Sequence, residues 1–308
     1  MKASNPSNPP ITPSRGATRA AAQRAAEPTP ITHADRVIFP SDGVTKGDVA
    51  GYYARVAERM TPYLEQRLVS IIRAPDNVET ETFFQRHPTS AMKRGVIRVT
   101  EGDKVYMALE GAEGLRTAAQ FGGVEFHGWM SRIDSLDQPD RLIFDLDPDP
   151  SVSFADVKAA AQDIARRLEA IDVKTWPMMS GGKGVHVVAP LDRSLTTDEV
   201  ETFARAFAHG LAEKEPARFI ASMSKSRRTG RIFIDWMRNK KGSTAILPWS
   251  LRARPTAPVA TPLTWRSLED ASSAAQYTIK TAVVLADPWG EFLTRAQTIP
   301  TAVLTAAR

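Results

Sequence analysis

One octapeptide limits the choice of folds more than any other part of the chain. Arg141-Leu142-Ile143-Phe144-Asp145-Leu146-Asp147-Pro148 is an apolar, strand-forming run interrupted by two carboxylates. In a strand, residues two apart share a face and stand roughly 6–7 Å from each other, so Asp145 and Asp147 project together while Phe144 and Leu146 turn to a core. Pro148 ends the ladder because it has no amide hydrogen to donate. Acids at that spacing repel one another, and either a shared proton or a divalent cation relieves them. A strand end whose acids face water has the same pattern, so the pair needs support from the rest of the chain.

The chain has 308 residues, 42% of them hydrophobic, which suits a large core in one or two domains. No apolar run is long enough to span a bilayer, and the N-terminus lacks the apolar centre of a secretory signal, so no membrane role is expected. With no cysteine, the sequence excludes disulfides, thiolate metal sites and thiol nucleophiles, in accord with a cytoplasmic setting. A formal charge of +5 describes no more than a solvated surface. Its distribution says more: between Ala221 and Arg254 nine basic residues (Lys225, Arg227, Arg228, Arg231, Arg238, Lys240, Lys241, Arg252 and Arg254) face a single acid, Asp235. Such a local positive field suits phosphates. Residues 1–28, rich in Ala, Pro, Ser and Thr, read as a disordered basic tail. An organelle transit peptide is the second reading, disfavoured by the scattered prolines.

Periodicity lays out the rest, residues 29–308, as one folded domain. Thr45 and Asp48 form a capping box ahead of Val49, Tyr52, Val56 and Met60, predicting a helix over 46–60. Short β-rich runs follow at 68–72, 96–99 and 105–109, then a helix over 112–121 and a strand over 124–127 with Glu125 and His127 on one face. Ser153 and Asp156 open a helix carrying Val157, Ala161, Ile164 and Leu168, and Thr196 and Glu199 open another over 197–213. Strands are expected at 173–178, 185–188 and 231–236, a proline-rich loop over 247–262, and a last helix over roughly 266–286.

Four further stretches carry chemistry, each with a plainer reading beside it. Phe83-Phe84-Gln85-Arg86-His87 pairs aromatics with basic groups, which can stack bases, although a Phe pair also suits a core. His127 on a polar strand face can bond a ligand hydroxyl or simply be a satisfied surface histidine. Ser180-Gly181-Gly182-Lys183-Gly184 sits between strands; glycines let backbone amides approach an anion, and Lys183 supplies a charge. It lacks the Walker spacing, so a tight turn with a solvated lysine stays open. Asp235 lies inside the apolar strand Ile232-Phe233-Ile234-Asp235, where it is either salt-bridged to Arg231 or Arg238, or a third metal ligand beside Asp145 and Asp147.

Taken in order, these motifs resemble the polymerase domain of bacterial ATP-dependent DNA ligase D, within the archaeal-eukaryotic primase superfamily. The resemblance runs from about Ile31 to Trp265. It rests on Asp35-Arg36, Thr45-Lys46, Phe83-Phe84, Glu125-Phe126-His127, Asp145-Leu146-Asp147-Pro148, Ser180 through His186, Ser224-Lys225 with Arg228, Asp235 with Asn239, and Ser250-Leu251-Arg252-Ala253-Arg254. It implies an α/β (α+β) fold with a mixed, mainly antiparallel central sheet and flanking helices. It also implies a metal triad of Asp145, Asp147 and Asp235 holding two divalent ions, Mn²⁺ or Mg²⁺. Ser180, Lys183, His186, Arg228 and Arg252 would grip a nucleoside triphosphate, with His127 near its sugar. Arg36 and Lys46 would take the 5′-phosphate of a DNA end, and Phe83 and Phe84 the template.

The expected activity is template-dependent primer extension and gap filling in nonhomologous end joining, with ribonucleotides preferred. The implied partners are an ATP-dependent DNA ligase and an end-binding protein, at the bacterial nucleoid. Met178 and Met179 stand where a Lys-Thr pair is common in the family, and Arg238 where a glutamine is common. No Lys-x-Asp-Gly motif occurs, so nick sealing is not expected of this chain. A primer-independent primase and a non-catalytic end-bridging module are the alternative functions.

Overall fold

A computed structural model describes residues 27–307, with only the backbone of Lys225. The stretch read as a basic tail lies outside the described residues apart from its last two positions. A short hairpin, β1 (Val37–Phe39) and β2 (Val44–Thr45), leads into helix α1 (Lys46–Leu64). The capping box forms: Thr45 Oγ1 accepts from the Asp48 amide at 3.1 Å, and the Asp48 carboxylate accepts from the Thr45 amide at 2.8 Å. Next come β3 (Arg67–Arg73), β4 (Phe83–Gln85), β5 (Val96–Glu101), β6 (Lys104–Leu109), α2 (Gly111–Gln120), β7 (Gly123–Arg132) and β8 (Ser135–Pro139). The second half supplies β9 (Arg141–Pro148), α3 (Phe154–Glu169), β10 (Trp176–Met179), β11 (Val185–Pro190), α4 (Thr197–Lys214), β12 (Phe219–Ile220), β13 (Ile232–Asp235), β14 (Thr244–Ile246) and β15 (Thr261–Pro262).

The mixed, mainly antiparallel architecture holds, with the strands divided between two sheets. One runs β14-β7-β3-β6-β5, with β4 added to β3 and β8 to β7; the other runs β12-β13-β9-β11-β10-β15. Among these ladders only β12–β13 is parallel. Helices α1 and α2 cover the first sheet with Tyr52, Tyr53, Val56, Met60, Leu115 and Ala118, all buried. Helices α3 and α4 cover the outer face of the second with Val157, Ile164, Val200, Phe203 and Leu211.

The apolar run of β9 follows from this arrangement. Leu142, Phe144 and Leu146 point into the α3/α4 core, and Ile143 points the other way, into the core shared with the first sheet. A strand buried on both faces reads as a continuous apolar run. The face that is apolar at Ile143 turns acidic at Asp145 and Asp147, where the two sheets part and a cleft opens. Met178 and Met179 are core residues on opposite faces of β10.

The last helix departs from expectation. Helix α5 (Trp265–Asp270) ends after six residues instead of continuing to 286. The Ser272 amide and hydroxyl bond the Gln276 side chain, and the chain beyond runs extended against residues 257–259, with Val259 N bonded to Tyr277 O and Ile279 N to Ala257 O. Pairing with that loop satisfies backbone groups a helix would have used internally. Two short helices, α6 (Gly290–Thr294) and α7 (Thr301–Ala307), complete the chain. No helix among the described residues is long and apolar enough to cross a membrane.

Candidate active site

Strand register assembles the three acids. Asp145 pairs with His186 of β11 on one side and with Asp235 of β13 on the other, so the three side chains emerge on one face; Asp147 lies two residues along, opposite Phe233. Strand β13 stops at Asp235, and the Asn239 side chain takes over its ladder, accepting from Ile143 N at 2.9 Å and donating to Ile143 O at 2.7 Å. That clasp fixes the 3₁₀ turn Trp236–Asn239, which carries Arg238 to the acids.

The electrostatics of the cleft are tightly paired. His186 Nε2 stands 3.2 Å from Asp145 Oδ1, and Arg238 Nε reaches Asp145 Oδ2 at 3.2 Å and Asp235 Oδ2 at 3.0 Å. Arg228, stacked 3.7 Å over the Phe233 ring, turns Nη1 to Asp147 Oδ2 at 3.2 Å. Burial pushes the Asp145 carboxyl up, but His186 and Arg238 outweigh it and hold it well below the usual range. Asp147 and Asp235 are shifted upward, chiefly by burial and with the charge of Asp145 adding to it. An all-oxygen set of three carboxylates suits a hard divalent cation, whose charge would offset both the burial and the Asp145 charge that raise Asp147 and Asp235. Among the described residues no three acid, histidine or cysteine side chains close on one point as they stand, because Asp145 and Asp235 hold Arg238 while Asp147 faces Arg228.

Opposite the acids lies the turn after β10. Ser180 N bonds Gly184 O, and Ser180 Oγ accepts from the Gly182 and Gly184 amides, both at 3.3 Å. Gly184 is compulsory: a Cβ there would lie 2.0 Å from Leu146 O, in the backbone of the acid-bearing strand. The turn thus presses against β9 and leaves Lys183 exposed at its tip, lining the cleft. Arg252 donates to Ser180 O at 2.5 Å. Its loop is anchored by α1, whose Tyr52 donates to Trp249 O at 2.9 Å while Tyr53 OH accepts from Leu251 N at 2.9 Å.

Glu125, quoted above without a role, links this loop to His127. Its buried carboxylate accepts from His127 Nε2 at 2.8 Å and Ala253 N at 2.7 Å, and lies 3.1 Å from Arg252 Nε. Burial opposes ionisation, but the His127 bond and the Arg252 charge bring Glu125 down to about 2. Burial lowers His127 despite Glu125, which keeps the imidazole neutral at pH 7. His127 also packs edge-on against Phe84, with ring centroids 5.9 Å apart. Phe83 and Phe84 occupy edge strand β4 and are 44% and 48% exposed, which removes the core reading of that pair.

Arg36 and Lys46 lie elsewhere, in a pocket floored by Pro75 and Gln120. Arg36 Nη1 donates to Pro75 O at 2.7 Å, and Lys46 Nζ donates to Thr32 O at 2.9 Å and Gln120 Oε1 at 3.0 Å. A third cation, Arg73, joins them, donating to Phe121 O at 2.6 Å and Gln85 Oε1 at 2.9 Å. Burial, and then Arg36, lowers the Lys46 ammonium. Arg73 and Glu125 are the site residues that sequence reasoning did not assign. Charged residues inside strand patterns give no local signal of a partner distant in sequence.

The two sheets, the acidic strand between them and the glycine turn define a domain of the primase-polymerase type. Comparison supports this: residues 45–291 match the family described as LigD, primase-polymerase domain. The chain is 32% identical over 305 residues to the multifunctional non-homologous end joining protein LigD of Pseudomonas aeruginosa, covering 96% of this chain and 36% of that protein. With the LigD protein of Mycolicibacterium smegmatis it shares 34% identity over 246 residues, covering 78% and 32%. The chain therefore spans about a third of the length of these curated relatives. The polymerase domain of Mycobacterium tuberculosis ligase D, solved in complex with DNA, superposes with a TM-score of 0.78 at 30% identity, covering 87% of this chain and 99% of that one. The chain belongs to the LigD primase-polymerase domain family.

Proposed function

We propose that this chain is a DNA end-joining polymerase that extends a primer and fills gaps on a template, with ribonucleotides preferred. The observation that carries the reading is the set of Asp145, Asp147 and Asp235 on register-paired strands, facing a glycine turn and arginines in one cleft. The DNA bound to the mycobacterial domain supports the same ligand here. The end-joining names of the relatives support the setting, with an ATP-dependent ligase and an end-binding protein as partners in the bacterial cytoplasm.

Asp145, Asp147 and Asp235 would hold two divalent ions, Mn²⁺ or Mg²⁺, which when bound polarise the α-phosphate and activate the attacking primer 3′-hydroxyl. His186 keeps Asp145 ionised and oriented. Lys183, Arg252 and Arg228, with Ser180 shaping the turn, provide the positive field for a triphosphate. With Nε2–H committed to Glu125, neutral His127 keeps Nδ1 as an acceptor. A ribose 2′-hydroxyl can donate to it and a deoxyribose cannot, which gives the sugar preference a physical basis. Phe83 and Phe84, about half exposed and with the Arg86 guanidinium over the Phe84 ring, would meet template bases, and Arg36, Lys46 and Arg73 offer cations to a 5′-phosphate.

Primer extension across a gapped duplex with a 5′-phosphate at its far side, in Mn²⁺ and with each sugar type, tests the reading. Addition by the wild type and none by Asp147→Ala, with DNA binding retained, is expected. Equal addition by the variant overturns the site. Efficient synthesis on unprimed template moves the chain to the primer-independent primases, and DNA binding with no addition at all moves it to the bridging modules.

A further inference from the structure

One guanidinium reaches both acids that the strand register sets side by side. Arg238 Nε is 3.2 Å from Asp145 Oδ2 and 3.0 Å from Asp235 Oδ2, so it fills the space between them that a bridging cation would need. Its turn is fixed to β9 by Asn239, so Arg238 can leave the acids only by rotating its own side chain. The side chain is 39% exposed and lines the cleft, and it also donates a 3.3 Å bond to Thr244 O, which such a rotation would break. Arg238 does not leave the pair by losing its proton, because a guanidinium stays charged throughout the range in which proteins fold.

We infer that Arg238 is a tethered cation that occupies the Asp145–Asp235 pair, and that a divalent ion enters this site by displacing it. This rests on the metal-triad reading above and adds to it a residue that sets how much metal the site requires. The carboxylates hold a positive partner whether or not metal is present. Two consequences follow. Metal affinity is weakened by the bonds that must first break, and the fold is protected from acid–acid repulsion when metal is scarce.

The test is Mn²⁺ titration of the DNA-free, nucleotide-free protein, following free Mn²⁺ by electron paramagnetic resonance, with thermal unfolding measured in parallel. Arg238→Gln is expected to bind Mn²⁺ about tenfold more tightly than the wild type, since charge-assisted bonds no longer compete. Without metal it should unfold at a lower temperature, and Mn²⁺ should raise that temperature more than in the wild type. Arg238→Lys, which keeps the charge but loses the planar fork, should fall between the two and serves if the glutamine variant does not fold. Unchanged or weaker Mn²⁺ binding in a folded Arg238 variant overturns the inference. Asp145→Ala separates the two levels of the argument. If wild type and Asp145→Ala take up Mn²⁺ equally, the triad reading itself has failed, whatever Arg238 does.

Discussion

The cleft and the Arg36–Lys46–Arg73 pocket both gather cations, but they satisfy them by opposite rules. In the cleft, Arg228, Arg238 and Arg252 each face a carboxylate within 3.2 Å. In the pocket, all three cations are held by carbonyl or amide oxygens, and among the described residues none of them forms an ion pair. Those three arginines have to exchange partners to bind an anion, whereas Lys183 stands exposed at the tip of the glycine turn. A site with unspent positive charge takes an anion directly, so its affinity falls with salt. The difference fits the roles proposed above, chemistry in the first region and recognition in the second.

The sharpest way to break that division is to remove charge from one side and read the other. Asp145→Asn should lower nucleotide addition by about 10³-fold or more while leaving affinity for a 5′-phosphorylated end within about twofold, because the sites share no side chain. Gel-shift binding beside primer extension checks this, and a parallel loss of end binding would show one coupled site. Next in size is the acid that joins His127 to Arg252. Glu125 is held at about 2 against an ordinary 4.5, so it contributes on the order of 3 kcal/mol to stability at neutral pH. Its folded-state pKa is depressed, so the contribution is present above pH 4.5 and is lost as the pH falls towards 2. Urea unfolding of Glu125→Gln against the wild type should show a gap at pH 7 that shrinks through that acidic window. A gap independent of pH contradicts the pairing.

The pocket predicts a smaller and differently shaped effect. Lys46→Ala should weaken binding to a recessed end bearing a 5′-phosphate by about tenfold and to the unphosphorylated end much less, with the salt slope reduced by about one. Equal losses on both ends would mean that Lys46 only supports the fold through Thr32 and Gln120.

How far the sequence anticipated these regions depends on the range of the signal. Capping boxes and period-two alternation act within a few residues, so α1, α4 and the shared face of Asp145 and Asp147 on β9 are legible in the sequence. The expected helix over 266–286 fails beyond residue 270 because nothing local in the sequence registers that residues 277–279 pair with 257–259. The same blindness hid Arg73, which meets Lys46 only after β3 and α1 pack, and Glu125, whose partner Ala253 N is 128 positions away. The sequence offers Arg238 as one possible partner of Asp235; that it spans two carboxylates depends on the register of β13 against β9.

The smallest predicted effect lies between the two regions and tests whether they are separate. Strand β4 carries Phe84 against His127 of the cleft, while Gln85, its neighbour in sequence, accepts from Arg73 of the pocket at 2.9 Å. A template base stacked on Phe84 would therefore lie beside His127, while the same strand is tied through Gln85 to Arg73. Phe84→Ala removes one stacking face while Phe83 remains, so the loss should fall at the low end of the roughly 1–3 kcal/mol per base of such stacking, about fivefold in affinity for a template overhang. If β4 is only a platform, the preference for 5′-phosphorylated ends stays the same, since Gln85 and Arg73 are untouched. If that preference falls along with overhang binding, β4 transmits between the two sites, and the division of labour drawn from their charges gives way to a single continuous surface.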